Sequence, residues 1–231
     1  MPKSTAAQRL KPRKSPVQRR SAQTVEAVLE AAARILETRG LAACTTNAVA
    51  ERAGVSIGSL YQYFPNRDAL TVALIERETA QLMADVASAS MLEHSRGCVL
   101  AMVHAAVAHQ MRRPVLARII DFEERRLPLG ERNLRVADAI HAALLDALTN
   151  KPGAPDLDDA SLVAHDLLAI VRGMIDDAGE RDERDAAALE VRVMRAVDGY
   201  VAQSRRLDDA AVPRGEGVTL RRGRASKARC L

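Results

Sequence analysis

The sequence contains few aromatic residues: three Tyr, two Phe and no Trp among 231 residues. A core of this composition depends on aliphatic side chains, and a binding site made of several stacked aromatic rings is excluded over most of the chain. Three of the five aromatic residues nevertheless fall within four positions, at Tyr61, Tyr63 and Phe64, whereas Phe122 and Tyr200 are isolated. This local cluster indicates a segment with a specific role.

Signals for export and for membrane insertion are also missing. No apolar run reaches the roughly 18–20 residues of a membrane-spanning helix, and the basic N-terminus lacks the apolar stretch of a secretory signal. The cysteines Cys44, Cys98 and Cys230 are widely spaced and form no CxxC pair, which indicates a reducing compartment rather than a zinc site or a disulfide framework. We therefore predict a cytoplasmic protein that does not bind a membrane.

Catalytic and metal-binding motifs are not recognisable either. The five His residues form no HExxH motif and no Cys/His ligand spacing, and the sequence lacks GxSxG, P-loop and GxGxxG motifs. Cys44 has no Lys or His beside it, so we predict a small buried thiol rather than a redox sensor. The sequence predicts no enzyme, no metal and no cofactor.

Positive charge is concentrated at the two ends of the chain. Residues 1–20 contain seven basic and no acidic residues, and residues 214–231 contain six basic residues and one Glu. Residues 21–67 are neutral overall, and residues 68–213 carry a net charge of −8. This distribution favours an oriented encounter of the N-terminal part with a polyanion. The alternative is that both ends are disordered and only increase solubility.

Apolar residues recur with a helical period along most of the chain, and no stretch alternates as a half-buried strand would. We therefore predict an all-α fold of about nine helices, near residues 22–38, 47–53, 57–63, 67–89, 97–111, 114–127, 131–149, 158–178 and 184–205. The predicted N-caps of the first four helices are Ser21, Thr45 or Thr46, Ser56 and Asn66.

The second and third predicted helices have the spacing of a helix-turn-helix. Ala50 lies where two helices cross closely, and Gly54 provides a permissive backbone for the turn. Leu60 then anchors the following helix in the core beside Val49 and Val55. A helical hairpin without any nucleic-acid role would obey the same packing rules, so the spacing alone leaves both interpretations open.

The residues of this segment resemble a known family. The run from Thr45 to Leu70, with Gly-Ser-Leu-Tyr-x-Tyr-Phe after an Ala-Gly-Val-Ser turn, resembles the DNA-binding domain of the TetR family of bacterial transcriptional regulators. The resemblance covers about residues 22–70; beyond them it consists only of an all-helical pattern of suitable length. It implies a helix-turn-helix domain over residues 21–67 and a helical effector-binding and dimerisation domain over residues 68–206, between a basic arm (1–20) and a basic tail (207–231).

The chemistry of the segment agrees with such a role. The N-terminal end of the third helix enters the major groove in helix-turn-helix proteins, where Ile57 suits a thymine methyl group and Ser59 and Gln62 suit base edges. The tyrosines and the threonines at a helix start suit phosphates, and so does the cation of Arg67 in a first helical turn. The predicted DNA-binding residues are Thr45, Thr46, Ser56, Ile57, Gly58, Ser59, Tyr61, Gln62, Tyr63 and Arg67.

The resemblance also implies a dimer and an effector pocket. The last two helices are expected to pair with their copies, although an ordinary buried core helix would show the same apolar pattern. The expected pocket is aliphatic and contains Met, which suits flexible apolar or acyl ligands better than planar cations. Its candidate lining residues are Met83, His104, Val107, Met111, Phe122, Leu145 and Ile170, with His104, His109 and Asp121 as candidate polar groups.

Three functions are compatible with the sequence. The first is a ligand-responsive repressor that binds a palindromic double-stranded operator as a homodimer and is released by a small apolar effector. The second is an architectural or activating DNA-binding regulator without a ligand. The third is an enzyme or protein-interaction module whose helical hairpin never contacts DNA. The resemblance favours the first, in a bacterial cytoplasm and at the nucleoid when the protein is bound to DNA.

Overall fold

The structure is a computed structural model that describes residues 19–209, and the predicted arm and tail lie almost wholly outside this range. The described residues form nine α-helices, one short 3-10 turn (Leu41–Ala43) and no strand. The all-α prediction is confirmed. The helices are α1 (Arg19–Arg39), α2 (Thr46–Ala53), α3 (Ile57–Tyr63), α4 (Arg67–Ser90), α5 (Ser95–Arg112), α6 (Pro114–Arg126), α7 (Gly130–Thr149), α8 (Ala160–Glu180) and α9 (Ala186–Asp209).

Local chemistry explains the helix boundaries near the N-terminus. Thr45, Ser56 and Asn66 each accept a hydrogen bond from the backbone N–H three residues later, so they satisfy an otherwise unpaired donor of α2, α3 and α4. Ser21, in contrast, was predicted as an N-cap and lies inside α1. The helix begins two residues before Ser21, because a serine near a helix end also tolerates a position inside the first turns.

The first three helices pack around one apolar core. The side chains of Val28, Val49 and Leu60 are fully buried, and Phe64 is 1% exposed. Gly54, between α2 and α3, has φ 68° and ψ 30°, a left-handed conformation that glycine adopts without steric cost. The predicted helix-turn-helix is therefore present, and the ring of Phe64 anchors its second helix from behind.

This core does not stop at residue 67. Leu70 and Leu74 of α4 and Leu116 of α6 belong to the same buried cluster. A second, larger core lies among α4, α5, α7, α8 and α9 and includes Met102, Leu167 and Val193. The two cores share α4, so the three N-terminal helices rest directly on the helices of the body.

No helix in the described part of the chain is both long enough and apolar enough to span a membrane.

Candidate DNA-binding surface and ligand cavity

Helix α3 turns one face to the core and the other to solvent. Leu60 faces inward and is fully buried, whereas Ile57 and Tyr61 are 38% and 40% exposed. Gly58 and Gln62 are exposed as well. Because Leu60 holds the helix by a single side, the opposite side presents a continuous surface for another molecule.

Hydrogen bonds fix the turn before this helix. Ser56 Oγ accepts a hydrogen bond from the Ser59 backbone N–H at 3.0 Å and lies 2.8 Å from Ser59 Oγ. Thr46 Oγ1 lies 3.1 Å from the hydroxyl oxygen of Tyr61, which ties the start of α2 to the exposed side of α3. The two threonines thus have different roles, because Thr45 is the helix cap.

The remaining aromatic and basic residues complete this surface. The ring of Tyr63 is half-buried, 6.5 Å from the ring of Phe64. Arg67 is also half-buried, and its Nε has no hydrogen-bond partner among the described residues. Asp68, the chain neighbour that could neutralise Arg67, instead forms an ion pair of 2.6 Å with Arg126.

Cys44 is buried, as predicted, and burial raises the pKa of its thiol.

A cavity of about 240 Å³ lies in the body of the protein. Most of its lining is aliphatic, and a group of polar side chains gathers along part of the wall. It is enclosed by helices α4 to α8, with one residue from α9. Its lining includes Glu78, His109, Gln110, Arg113, Leu116, Asp121, Glu124, Asp176 and Val197.

The seven residues predicted to line a pocket do not line this cavity. Each is the chain neighbour of a residue that does: Leu82 rather than Met83, Ala106 rather than Val107, and so on along the other helices. One residue along a helix rotates a side chain by about 100°, so an error of one position turns it away from the cavity. The predicted side chains are Met83, His104, Val107, Met111, Phe122, Leu145 and Ile170.

Two of these seven side chains lie at the protein surface instead. Phe122 is 53% exposed, and the His104 imidazole Nδ1 lies 2.9 Å from Glu190 at the surface. In contrast, His109 and Asp121, which were predicted as polar groups of the pocket, do lie in the cavity wall.

Comparison with known proteins identifies the class of this helix-turn-helix. Residues 28–74 match the model of the bacterial regulatory proteins of the tetR family. An uncharacterized HTH-type transcriptional regulator of Mycobacterium tuberculosis is 30% identical over 173 residues, which cover 74% of this chain and 83% of the relative. The chain belongs to the TetR family.

Solved structures agree with this fold. A TetR transcription regulator from Haloarcula marismortui has a TM-score of 0.64 at 18% identity and covers 79% of this chain and 98% of its own. The fatty acid degradation regulator FadR from Bacillus halodurans has a TM-score of 0.61 at 17% identity, with 75% and 97% covered. Membership of this family makes the chain a DNA-binding transcriptional regulator, and the prediction that it is no enzyme agrees with its family.

The polar part of the cavity wall is acidic. The pKa of Asp121 is raised to about 6, chiefly by burial and also by the neighbouring carboxylates of Asp176 and Glu124, whereas Arg125 and Arg172 act to lower it. No hydrogen bond or ion pair joins the Asp121 carboxylate to any side chain that the structure describes. Burial also lowers the pKa of His109, so its imidazole is neutral at neutral pH.

Arginines connect the cavity to the DNA-binding helices. Arg113, in the cavity wall, donates two hydrogen bonds to Glu37 at 2.6 and 2.7 Å and two to Glu30 at 2.9 and 3.4 Å, and both glutamates are in α1. These bonds lower the pKa of Glu37. Arg77 pairs with Glu78 of the wall and with Glu26 of α1. This network could not be predicted from the sequence, because its members are far apart in the chain.

Helix α6 makes a second connection. Its residue Leu116 lines the cavity and also belongs to the core of the N-terminal helices. At its other end, Arg126 bridges Asp68, at the start of α4, and Glu123, which is 1% exposed. Only three residues separate the end of α3 from the start of α4. Helix α6 therefore contacts both the cavity, through Leu116, and the start of α4 next to the DNA-binding helices, through Arg126.

Proposed function

We propose that this regulator is a ligand-responsive repressor that binds a palindromic operator as a homodimer and is released by a small, largely apolar effector. The observation that carries the proposal is the position of Leu116 in α6. This side chain lies in the cavity wall and also belongs to the core that contains Leu60 of α3. A ligand that favours one position of α6 over another shifts the positions of α3 in the dimer by its differential affinity for the two states.

The DNA contacts follow from the orientation of α3. Ile57, Gly58, Ser59 and Gln62 are on or beside the exposed side of α3 and would meet base edges in the major groove. Tyr61 and Tyr63 would contact phosphates, together with Thr45, Thr46, Ser56 and Arg67 at neighbouring helix starts. Such contacts would place the protein at the bacterial nucleoid.

The exposed sides of α8 and α9 support a dimer. Leu162 is 56% exposed and Val191 58% exposed, and a Cβ atom added at Gly173 would meet nothing within 4 Å. Small and apolar exposed residues allow two helices to approach closely. A two-fold dimer through these helices would present two copies of α3 to half-sites about one DNA turn apart.

The basic residues before α1 are proposed to provide the electrostatic attraction to DNA phosphates that the neutral residues 21–67 lack. Replacing Lys3, Arg9, Lys11, Arg13 and Lys14 with Gln should weaken operator binding and make the slope of log K against log salt less steep, because each lost phosphate contact removes about 0.9 from that slope. Operator binding titrated from about 50 to 200 mM salt measures the effect. An unchanged slope would contradict this role of the arm.

Selection of bound genomic fragments tests the proposed function. Fragments retained by the full-length protein should share an inverted repeat with half-sites about one helical turn apart. Compounds that raise the melting temperature should then include some that release these fragments, since a ligand at about 100 times its Kd adds about 2.7 kcal/mol of stability. Fragments without dyad symmetry would contradict the dimer, and stabilising compounds that leave DNA binding unchanged would favour a regulator without ligand control.

A further inference from the structure

Two buried polar atoms without a hydrogen-bond partner lie in the cavity wall. Among the described residues, three buried side-chain atoms lack a partner: Arg67 Nε, His109 Nδ1 and Gln110 Nε2. His109 and Gln110 are consecutive residues of α5, and both line the cavity. The imidazole Nδ1 donates or accepts a hydrogen bond according to its tautomer, whereas an amide nitrogen only donates. The wall thus contains a buried donor, Gln110 Nε2, for which the described residues supply no acceptor.

The Gln110 amide lies at the edge of a small recess beside the cavity. Gln110 is 5% exposed, and a Cβ atom added at Gly179 of α8 would collide with its Nε2, so this nitrogen packs directly against Gly179. Both residues line a recess of about 20 Å³, and Gln110, Asp121 and Asp176 line the recess and the cavity alike. The recess is large enough for one water-sized group, which needs about 10–15 Å³. An atom in the recess would therefore lie next to the amide N–H.

The charges around the recess do not select an ionic ligand of either sign. Carboxylates and guanidinium groups line it together, and Asp176 forms an ion pair of 3.5 Å with Arg172. A buried donor without an acceptor, in contrast, has lost its hydration and gained nothing in exchange. The feature that selects a ligand is thus the direction of the hydrogen bond that the amide offers. The charged residues of the recess are Arg118, Asp121, Arg125, Asp176 and Glu180.

We propose that Gln110 anchors the effector by donating a hydrogen bond from Nε2 to a carbonyl or carboxylate oxygen in the recess, while the aliphatic part of the effector occupies the cavity. Such an oxygen accepts hydrogen bonds, and an ammonium group cannot. An apolar cavity of about 150 Å³ holds benzene, so the cavity of about 240 Å³ holds a chain of about eight to ten carbon atoms. This inference rests on the proposed function in taking the cavity as the effector site.

Two substitutions remove the donor from the recess in different ways. Gln110→Met replaces the amide with an apolar side chain of similar length. Gly179→Ala adds a Cβ atom where Nε2 now lies, so the flexible amide must move away although it is still present. The control in α5 is Gly97→Ala, whose Cβ atom would meet the Leu92 side chain at an ordinary 4.0 Å. The control for loss of a glutamine is Gln81→Met, at an exposed position outside the cavity wall.

Calorimetric titration of the full-length protein with octylamine and with the acceptor ligands 2-octanone and octanoate tests the inference. At about pH 7.5 octylamine is protonated, like Lys with its pKa of about 10.4, and has no acceptor. Octylamine should bind most weakly of the three. Gln110→Met and Gly179→Ala should each lower the affinity for the tighter acceptor ligand about tenfold, because a buried donor loses its hydrogen bond. Neither should change octylamine affinity, and both control variants should bind as the native protein does.

The two acceptor ligands distinguish the two sources of the oxygen. Tighter binding of 2-octanone identifies an uncharged carbonyl compound, and tighter binding of octanoate identifies an acyl anion attracted by Arg118 and Arg125. Either order supports the inference, provided that the affinity depends on Gln110. Octylamine as the tightest ligand would overturn it. Acceptor affinities that are unchanged in Gln110→Met would overturn it too, because a water molecule in the recess would then satisfy the amide. Absence of binding by all three ligands would also overturn it.

Stability and operator binding complete the test. Without ligand, Gln110→Met should melt at the native temperature or above, because it removes a buried polar group that has no partner. Should it melt lower, Gly179→Ala decides, since it retains the glutamine. An acceptor ligand that binds through Gln110 yet leaves operator affinity unchanged would support the site and overturn ligand-controlled repression. Operator release by a ligand whose affinity does not depend on Gln110 would overturn the inference and leave the proposed function intact.

Discussion

Replacing Gln62 with alanine should reduce the affinity of the dimer for its operator by about 30-fold or more. Gln62 projects from the exposed side of α3, and a side chain that reads a base edge contributes about 1–3 kcal/mol per site. A dimer makes the contact in both half-sites, so the loss is about 2–6 kcal/mol, and about 1.4 kcal/mol corresponds to a factor of ten. Fluorescence anisotropy with an operator duplex from the genomic selection measures it.

The chain offers a matched control for this substitution. Gln81 is an exposed glutamine of α4 whose amide binds Asp85 at 3.1 Å within its own helix. Gln81→Ala makes the same chemical change away from α3 and should leave operator affinity unchanged. Binding of both variants to unrelated DNA should match that of the native protein, because non-specific affinity comes from phosphate contacts. Equal operator binding by Gln62→Ala and the native protein would show that this face of α3 does not read DNA.

Replacing Arg126 with methionine should lower the free energy of unfolding by about 3–5 kcal/mol. Arg126 donates hydrogen bonds of 3.0 Å from Nε and 2.6 Å from Nη2 to Glu123, whose side chain is 1% exposed. These bonds, and then that to Asp68, raise the pKa of Arg126, so the guanidinium is always charged. Removing it leaves a buried carboxylate without a counter-charge, which is strongly destabilising. Urea denaturation gives the difference.

A double variant separates the ion pair from simple packing. Replacing both Glu123 and Arg126 with methionine should recover most of the lost stability, because an apolar pair of similar volume is often as stable as a buried ion pair. Arg181→Met is the matched control, since Arg181 and Asp177 are 54% and 59% exposed and such pairs contribute about 0–1 kcal/mol. A double variant as unstable as Arg126→Met alone would contradict this account.

The same ion pair predicts a functional cost beyond stability. Because Arg126 also holds Asp68 at the start of α4, the double methionine variant is expected to fold while losing one connection between α6 and the DNA-binding unit. Its operator should then be released less completely by a ligand than in the native protein. This expectation follows from coupling through packed and hydrogen-bonded elements that two sites both bias.

The helix boundaries around the turn between α2 and α4 were predictable because their causes are local. Gly54 ends α2, and Ser56 and Asn66 cap the next two helices through bonds that span three residues. The cavity was not predictable to the residue, because all seven candidates missed it by one position. Apolar periodicity identifies a buried side of a helix, but a body helix has several neighbours and is buried on more than one side. Nothing local distinguishes the side that faces a cavity.

By itself, the sequence determined the all-helical fold, the helix-turn-helix and the aliphatic character of any pocket, because helical periodicity, a glycine at the turn and a shortage of aromatic residues act over short distances or through composition. Only the tertiary structure decided that Asp121 faces a cavity without a partner, that Gln110 points into the same recess, and that Arg113 and Arg126 join the body to the DNA-binding helices. Burial and charge at those positions depend on helices that are far apart in the chain. The pKa and the free energy of a buried charged group are set by these surroundings, so the sequence alone does not give them.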